Sequence, residues 1–404
     1  MVSSIESLKD QACRSIDELA EKIVTVSKEI WENPELGLQE FKASALLCDV
    51  LDQSGLPVDR GIAGLPTAFR AEFEGTAPGP RVAILAEYDA LPGMGHACGH
   101  NIIASSALGA TLALNLLRDQ LPGSVRLLGT PAEESAVEGA GGKVPILRGG
   151  HLGDVDAAIM VHPGARTTAA RRPSLAARAL KIEFFGKAAH AASSPHMGLN
   201  ALDAVIQTFN SINALRQQVR PDARIHGVIT HGGETPNIIP PYTAARIRVR
   251  ARDAVYLQDL YARVLACAEG AALATGTRLE WTEDVHPYHN TVPNDVISGL
   301  IDDNLRSLGL QVDAIDPTDG TGSTDFGNVS QSVPSSFAYL GIVPKGTPGH
   351  SIEIREAAGS RVGSEAAING AKLLAMTAID LLLSPALVAE ARSEFEGAEK
   401  LVEA

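Results

Sequence analysis

The sequence predicts an α/β fold in which a smaller α+β unit interrupts a larger sheet. Three observations carry this expectation. Short, continuous apolar runs at 81–86 (RVAILA), 124–129 (SVRLLG) and 157–161 (AAIMV) alternate with helical stretches, as in a sheet buried on both faces. Between about 176 and 290 the order becomes strand, helix, strand, strand, helix, strand, the split-βαβ pattern of ferredoxin-like units. From about 292 the first rhythm resumes. The chain therefore divides into a catalytic-type domain in two segments, 1–175 and 291–404, with an insertion at 176–290.

In chain order, Ile5, Leu8, Ala12, Ile16, Leu19, Ile23, Val26 and Ile30 recur at steps of three and four, which predicts one amphipathic helix over 5–30. Pro34 follows it, and a second helix near 39–53 stops before Gly55 and Pro57. Helices at 101–118 and around 141–149 lie between the apolar strands. The insertion reads as strand 178–185, helix 199–219, strands 224–230 and 243–251, helix 255–273 and strand 277–284. The last segment reads as helix 295–308, strands 311–315 and 335–341, and a long helix near 363–383.

Composition narrows the functional classes. Of 404 residues, 45% are apolar and 20% charged, enough for a sizeable core without a bias toward disorder. Aromatic residues make up only 4%, which argues against a stacked aromatic cage. The 34 basic residues against 48 acidic ones give a net charge of −14, so no nucleic-acid partner is expected. The densest basic cluster, Arg246, Arg248, Arg250 and Arg252, has a period of two and so lies on one strand face. No apolar run reaches the roughly 18 residues that span a bilayer, and the first residues lack a leader pattern. No membrane partner and a cytoplasmic location are the expectations. Cys13, Cys48, Cys98 and Cys267 are scattered, unlike a disulfide framework.

The chemistry-bearing residues follow the strands. His96-Ala97-Cys98-Gly99-His100 places a soft thiolate beside imidazoles, a donor set suited to zinc or a similar ion. Glu133-Glu134 follows one strand, His162 follows another, and His350 sits in a Gly/Pro-rich loop. Taken singly, each has an ordinary reading: a buried cysteine, a solvated acidic pair, a loop histidine. Ligands in open α/β sheets bind at the carboxyl ends of strands, so four such clusters on one edge belong together. Their donors exceed the four that close a structural zinc site. They suit two metals with one carboxylate left over as a base. The chain has no G-x-S-x-G, H-E-x-x-H or G-x-x-x-x-G-K-[ST] motif, and Gly93-Met94-Gly95 reaches Cys98 where a dinucleotide fingerprint needs glycine.

The run from Leu85 to Asn101, LAEYDALPGMGHACGHN, resembles the M20 metallopeptidase/amidohydrolase family. It is most similar to the branch of aminobenzoyl-glutamate hydrolases and dipeptidases acting on dipeptides with a basic residue. Further segments resemble the family in its own order. They are Asn33-Pro34-Glu35-Leu36, Pro131-Ala132-Glu133-Glu134, Val161-His162-Pro163, Gly186-Lys187-Ala188-Ala189-His190, Thr235-Pro236-Asn237, Ser323-Thr324-Asp325-Phe326 and Gly349-His350-Ser351. The resemblance spans about 15–385 and implies a zinc-peptidase-like α/β domain with a mixed sheet, plus an inserted lid used in dimerisation. Asn101 and Trp31 stand where aromatic-acyl amidohydrolases usually carry Asp and His, which weakens that substrate class.

By position, the resemblance implies one or two divalent ions per subunit, zinc first, with manganese or cobalt as alternatives. Cys98, Glu134 and His350 would surround one ion, and Cys98, His100 and His162 the other. Asp89 would orient an imidazole, or serve as a cap. Glu133 would be the general base. His190 would reach the site of a partner subunit, and Asn237 and Arg250 would hold the substrate's carboxylate or carbonyl, with Ser323 in support. The function implied is hydrolysis of an amide bond in a small N-acyl amino acid or dipeptide with a free carboxylate. Deacylation of a non-peptide amide, or metal binding without turnover, are the alternatives.

Overall fold

A computed structural model describes residues 4–315 and 322–398. The first segment contains α1 (Ile5–Glu18), α2 (Ala20–Glu32), α3 (Phe41–Gln53), β1 (Val58–Arg60), β2 (Phe69–Glu74) and β3 (Arg81–Ala86). It continues through α4 (His100–Leu116), β4 (Ser124–Gly129), α5 (Lys143–Arg148), β5 (Ala157–Gly164) and β6 (Thr168–Ala169). The helix expected over 5–30 is thus two helices that break at Leu19 (φ −88°, ψ 0°). Hydrogen bonds from Leu19 N to Ser15 O and from Ile23 N to Leu19 O cross the break, so the apolar stripe stays in phase.

The second sheet follows: β7 (Ala176–Phe185), α6 (Ala201–Leu215), β8 (Arg224–His231), β9 (Tyr242–Ala251), α7 (Ala254–Thr275) and β10 (Arg278–Thr282). Its antiparallel order is β10-β7-β9-β8. Leu180, Ile182 and Phe184 of β7 and Ile247 and Val249 of β9 pack with residues of α6 and α7 into a core of their own. Arg246, Arg248 and Arg250 alternate with the buried Ile247 and Val249 and so occupy the opposite face. The chain then forms α8 (Asp295–Ser307), α9 (Phe326–Ser332), β11 (Ser335–Gly341), α10 (Ile352–Ala358), α11 (Arg361–Leu383) and α12 (Pro385–Gly397).

β11 closes the larger, seven-stranded sheet, whose order is β1-β2-β4-β3-β5-β11-β6. The strands β4, β3, β5 and β11 run parallel, while β1, β2 and β6 pair antiparallel at the edges, giving a mixed sheet. The strand expected at 311–315 is irregular chain, tied through Asp313 N to Thr167 O. The helix α4 is buried along almost its whole length and packs on α11, α2, β3 and β5. Contrary to the sequence expectation, α11 is long and apolar enough to cross a membrane, but 78% of its apolar window is buried inside the protein, as in a core helix.

Candidate metal centre

Four parallel strands deliver their C-terminal ends to one edge, and the loops beyond them converge there. Gly99, in the left-handed conformation (φ +74°), turns the loop after β3 into α4. A Cβ at Gly99 would lie 2.4 Å from Pro163 Cγ, so only glycine lets His100 and His162 approach on adjacent elements.

Each imidazole is oriented by one ring nitrogen. His100 Nδ1 lies 2.9 Å from Asp89 Oδ1, and His162 Nδ1 lies 2.7 Å from Pro163 O. Both partners are acceptors, so both Nδ1 atoms carry the proton and both Nε2 atoms present lone pairs. His162 Nε2 is 3.5 Å from Cys98 Sγ, and His100 Nε2 is buried without a hydrogen-bond partner. Asp89 also accepts the Glu134 amide at 2.9 Å through its other oxygen, so it orients the imidazole and fixes the acidic loop at once.

Glu134 Oε1 is a second buried polar atom without a hydrogen-bond partner and lies 3.4 Å from His350 Nε2. Cys98, His100 and His162 offer ligand atoms within 4.8 Å of one another, and so do Cys98, Glu134 and His350. These are the two triads that the sequence resemblance implies, sharing the thiolate. A cysteine sulfur, imidazole lone pairs and a carboxylate, two of them without hydrogen-bond partners in the protein interior, fit divalent transition ions, which would hold the sulfur as thiolate. Alongside these residues runs a cavity of about 480 Å³ lined by Cys98, His162, Tyr339 and His350.

Glu133 comes within 4.8 Å of both His100 and Glu134, and its other neighbours are acidic. It lies with Glu87 and Asp325, within 4.8 Å, and burial followed by the charges of Glu87, Glu134 and Asp325 raises its pKa well above the usual carboxylate range. Glu134 is held low despite its burial by the adjacent His350 imidazole and the charge of His100. Tyr288 donates to the Glu133 carbonyl at 2.5 Å. Beneath the pair sits the buried ammonium of Lys143, 2.6 Å from Glu87 Oε1 and 2.5 Å from Asp325 Oδ1. Glu87, Lys143 and Tyr288 escaped the sequence reading. Glu87, two positions before Asp89, and a lysine inside the apolar stretch 140–147 are the signals that could have found them.

The remaining sequence candidates separate. Arg250 Nη1 donates to Ser323 Oγ at 3.1 Å, and Arg250 lies close enough to Glu133, Glu134 and His350 to interact electrostatically. His190 and Asn237 are exposed in adjoining loops of the second sheet, joined by Ala191 N to Asn237 O. The His190 ring accepts from Ala192 N and Ser193 N at 3.2 Å and meets none of the ligand atoms. His96, first in the histidine-cysteine cluster, is a packing residue: its Nε2 contacts Ile30 O at 3.0 Å, and burial lowers its pKa to about 4. Asn101 bonds Ser27 Oγ and Ala358 O, and Trp31 donates to Arg355 O, so both departures from the amidohydrolase pattern anchor elements behind the site.

The profile of peptidase family M20/M25/M40 matches residues 83–375. Over 98% of this chain and 93% of the relative, the sequence is 39% identical to the Xaa-Arg dipeptidase of Mus musculus. It is 28% identical to one of the p-aminobenzoyl-glutamate hydrolase subunits of Escherichia coli K12, over 95% of this chain and 94% of that one. A Bacillus subtilis protein described as a dinuclear metal-binding peptidase of the M20 family shares the fold (TM-score 0.64, 22% identity), covering 90% of this chain and 99% of its own. The aminobenzoyl-glutamate utilization protein of Klebsiella pneumoniae superposes with a TM-score of 0.69 at 20% identity, over 89% of this chain and 98% of that one.

Proposed function

This chain belongs to peptidase family M20/M25/M40 and is a hydrolase of amide bonds, and we propose that it cleaves small N-acyl amino acids or dipeptides carrying a free carboxylate at a pair of divalent ions. The observation that carries the proposal is the pair of donor triads sharing Cys98, with the spare carboxylate of Glu133 beside them. Bound at these donors, divalent ions polarise a carbonyl and lower the pKa of water. Glu133 takes the proton of the attacking water on its carboxylate and hands it to the leaving nitrogen. Asp89 keeps the His100 lone pair aimed inward, and Arg250 grips the substrate carboxylate as a planar donor pair.

Protein purified without chelator is expected to carry zinc, manganese or cobalt by elemental analysis. Cys98→Ala or His162→Ala is expected to lose both the metal and the hydrolysis of a panel of dipeptides and N-acyl amino acids. Full amidase activity in metal-free protein overturns the reading.

We propose further that the second sheet is a dimerisation lid and that His190 completes the site of the neighbouring subunit. The edge strand β8 and the loops around His190 expose Val228, Ile229, Ile238 and Met197, an apolar surface that a two-fold copy would cover. His190→Ala is expected to lower kcat about 10²-fold with metal content intact, the loss of one donor to the developing oxyanion. Co-expressed heterodimers of His190→Ala with Glu133→Gln contain one intact site and one doubly defective site. They should therefore regain about half the wild-type activity per protomer, a figure set by the two-fold geometry. Confirmed heterodimers as inactive as either parent would assign His190 to its own subunit or to no role.

A further inference from the structure

We propose that Glu40 is a positioning residue whose carboxylate clamps the backbone of Ala132 and thereby places the Glu133 and Glu134 carboxylates at the site. The proposal rests on the roles given to those two carboxylates above. Glu40 stands at the N-terminal end of α3, yet its side chain makes no capping bond there. Glu35 does that work, accepting from Lys42 N and Ala43 N. The Glu40 side chain is instead fully buried and turned toward the acidic loop, where Oε1 accepts from Ala132 N and Oε2 from Thr67 Oγ1, both at 2.8 Å.

What it holds is unusual. Ala132 has φ +56°, a conformation that residues with a Cβ rarely adopt. Its amide is taken by Glu40 and its carbonyl by Gly141 N at 2.7 Å. This reversal immediately precedes Glu133 and Glu134, which both come within 4.8 Å of His100 and then part company, Glu133 joining Glu87 and Asp325 and Glu134 joining Cys98 and His350. The same segment reaches the other catalytic loop. Ala90 N donates to Glu35 O at 2.8 Å, Leu36 bridges Ala90, and Tyr88 OH donates to Thr67 O at 2.6 Å. Gly37 allows the close approach: a Cβ there would lie 2.8 Å from Ala132 Cβ. The Asn33-Pro34-Glu35-Leu36 motif, which carries no ligand, thus opens a bracket that ends at Glu40. Burial, followed by the charge of Asp89, raises the Glu40 pKa to about 7, and its neutral form keeps an acceptor for Ala132 N.

The test compares two substitutions of similar bulk. Glu40→Gln retains the acceptor toward Ala132 and is expected to keep kcat within about threefold of wild type. Glu40→Met removes it and is expected to lower kcat at least about tenfold with KM changed less than about threefold, since small misplacements of reacting groups are costly. Adding Ala132→Gly to Glu40→Met should recover several-fold of the loss, because glycine holds a positive φ without a clamp. A general packing role for Glu40 would give no such rescue. If Glu40→Met yields no folded protein, Gly37→Ala decides: it presses Ala132 from the other side without deleting a hydrogen bond, and it should also lower kcat. Wild-type kcat in Glu40→Met or Gly37→Ala, equal damage in Glu40→Gln and Glu40→Met, or no rescue by Ala132→Gly overturns the proposal. Glu133→Gln is assayed in parallel. An active Glu133→Gln enzyme refutes the base assignment, whereas an inactive one beside normal Glu40 variants refutes only the clamp.

Discussion

Glu133→Gln is expected to lower kcat by about 10²–10⁴-fold, the usual share of a positioned general base, while bound metal stays at the wild-type level. The amide keeps the volume of the acid but cannot take up a proton. The change should appear in kcat and kcat/KM alike, because proton transfer contributes only in the transition state. Glu133 and Glu134 are sequence neighbours, and both come within 4.8 Å of His100, so proximity alone does not separate their roles. Their other partners do. Glu134 adjoins Cys98 and His350, whereas Glu133 is grouped with Glu87 and Asp325, over the Lys143 ammonium. Glu134→Gln should therefore deplete the metal and Glu133→Gln should not. The opposite pattern in elemental analysis would exchange the two assignments.

The elements legible in the sequence are those whose signal is local. Continuous apolar runs mark β3, β4 and β5, and the residues immediately beyond them converge in space because parallel strands share an end. Edge strands gave less. β1 and β6 have three and two residues, too few for any period to register. β2 alternates between buried and partly exposed positions, the pattern of a half-buried edge-side strand. Near 311–315 the apolar character was real, since Leu310 and Val312 pack on the core, but among the described residues Asp313 N to Thr167 O ties the segment to the chain before β6 without a strand ladder. Residues whose roles depend on distant partners were the hardest to read. Lys143 meets Glu87 and Asp325 from 56 and 182 positions away, and Glu40 meets Ala132 across 92. His190 and Asn237 mark the other boundary: a single chain leaves them facing outward, and the sequence alone does not fix what they would face in an assembly.

Lys143→Met is expected to destabilise the fold by roughly 3–5 kcal/mol, the cost of removing one partner from a buried ionic cluster. The ammonium and both carboxylates have side chains no more than 1% exposed, so solvent screening discounts little of this cost. Methionine fills nearly the same volume, which leaves the missing charge as the main change. Burial opposes the charged form of Lys143, yet Asp325 and Glu87 raise its pKa above the ordinary lysine value, so it stays charged across the working range. Without it, Glu87, Asp325 and Glu133, which lie within 4.8 Å of one another, would lose the ammonium that binds the first two. The loss should be read as a lower urea midpoint in metal-stripped protein, where linkage to bound ions contributes nothing. Asp325→Asn in the Lys143→Met background removes one of the uncompensated charges while keeping an acceptor for Lys143 N, which now donates to Asp325 Oδ2 at 3.0 Å. That double variant should be more stable than Lys143→Met alone. A double variant no more stable, or a Lys143→Met midpoint close to wild type, would mean that packing rather than charge compensation accounts for the lysine between Glu87 and Asp325.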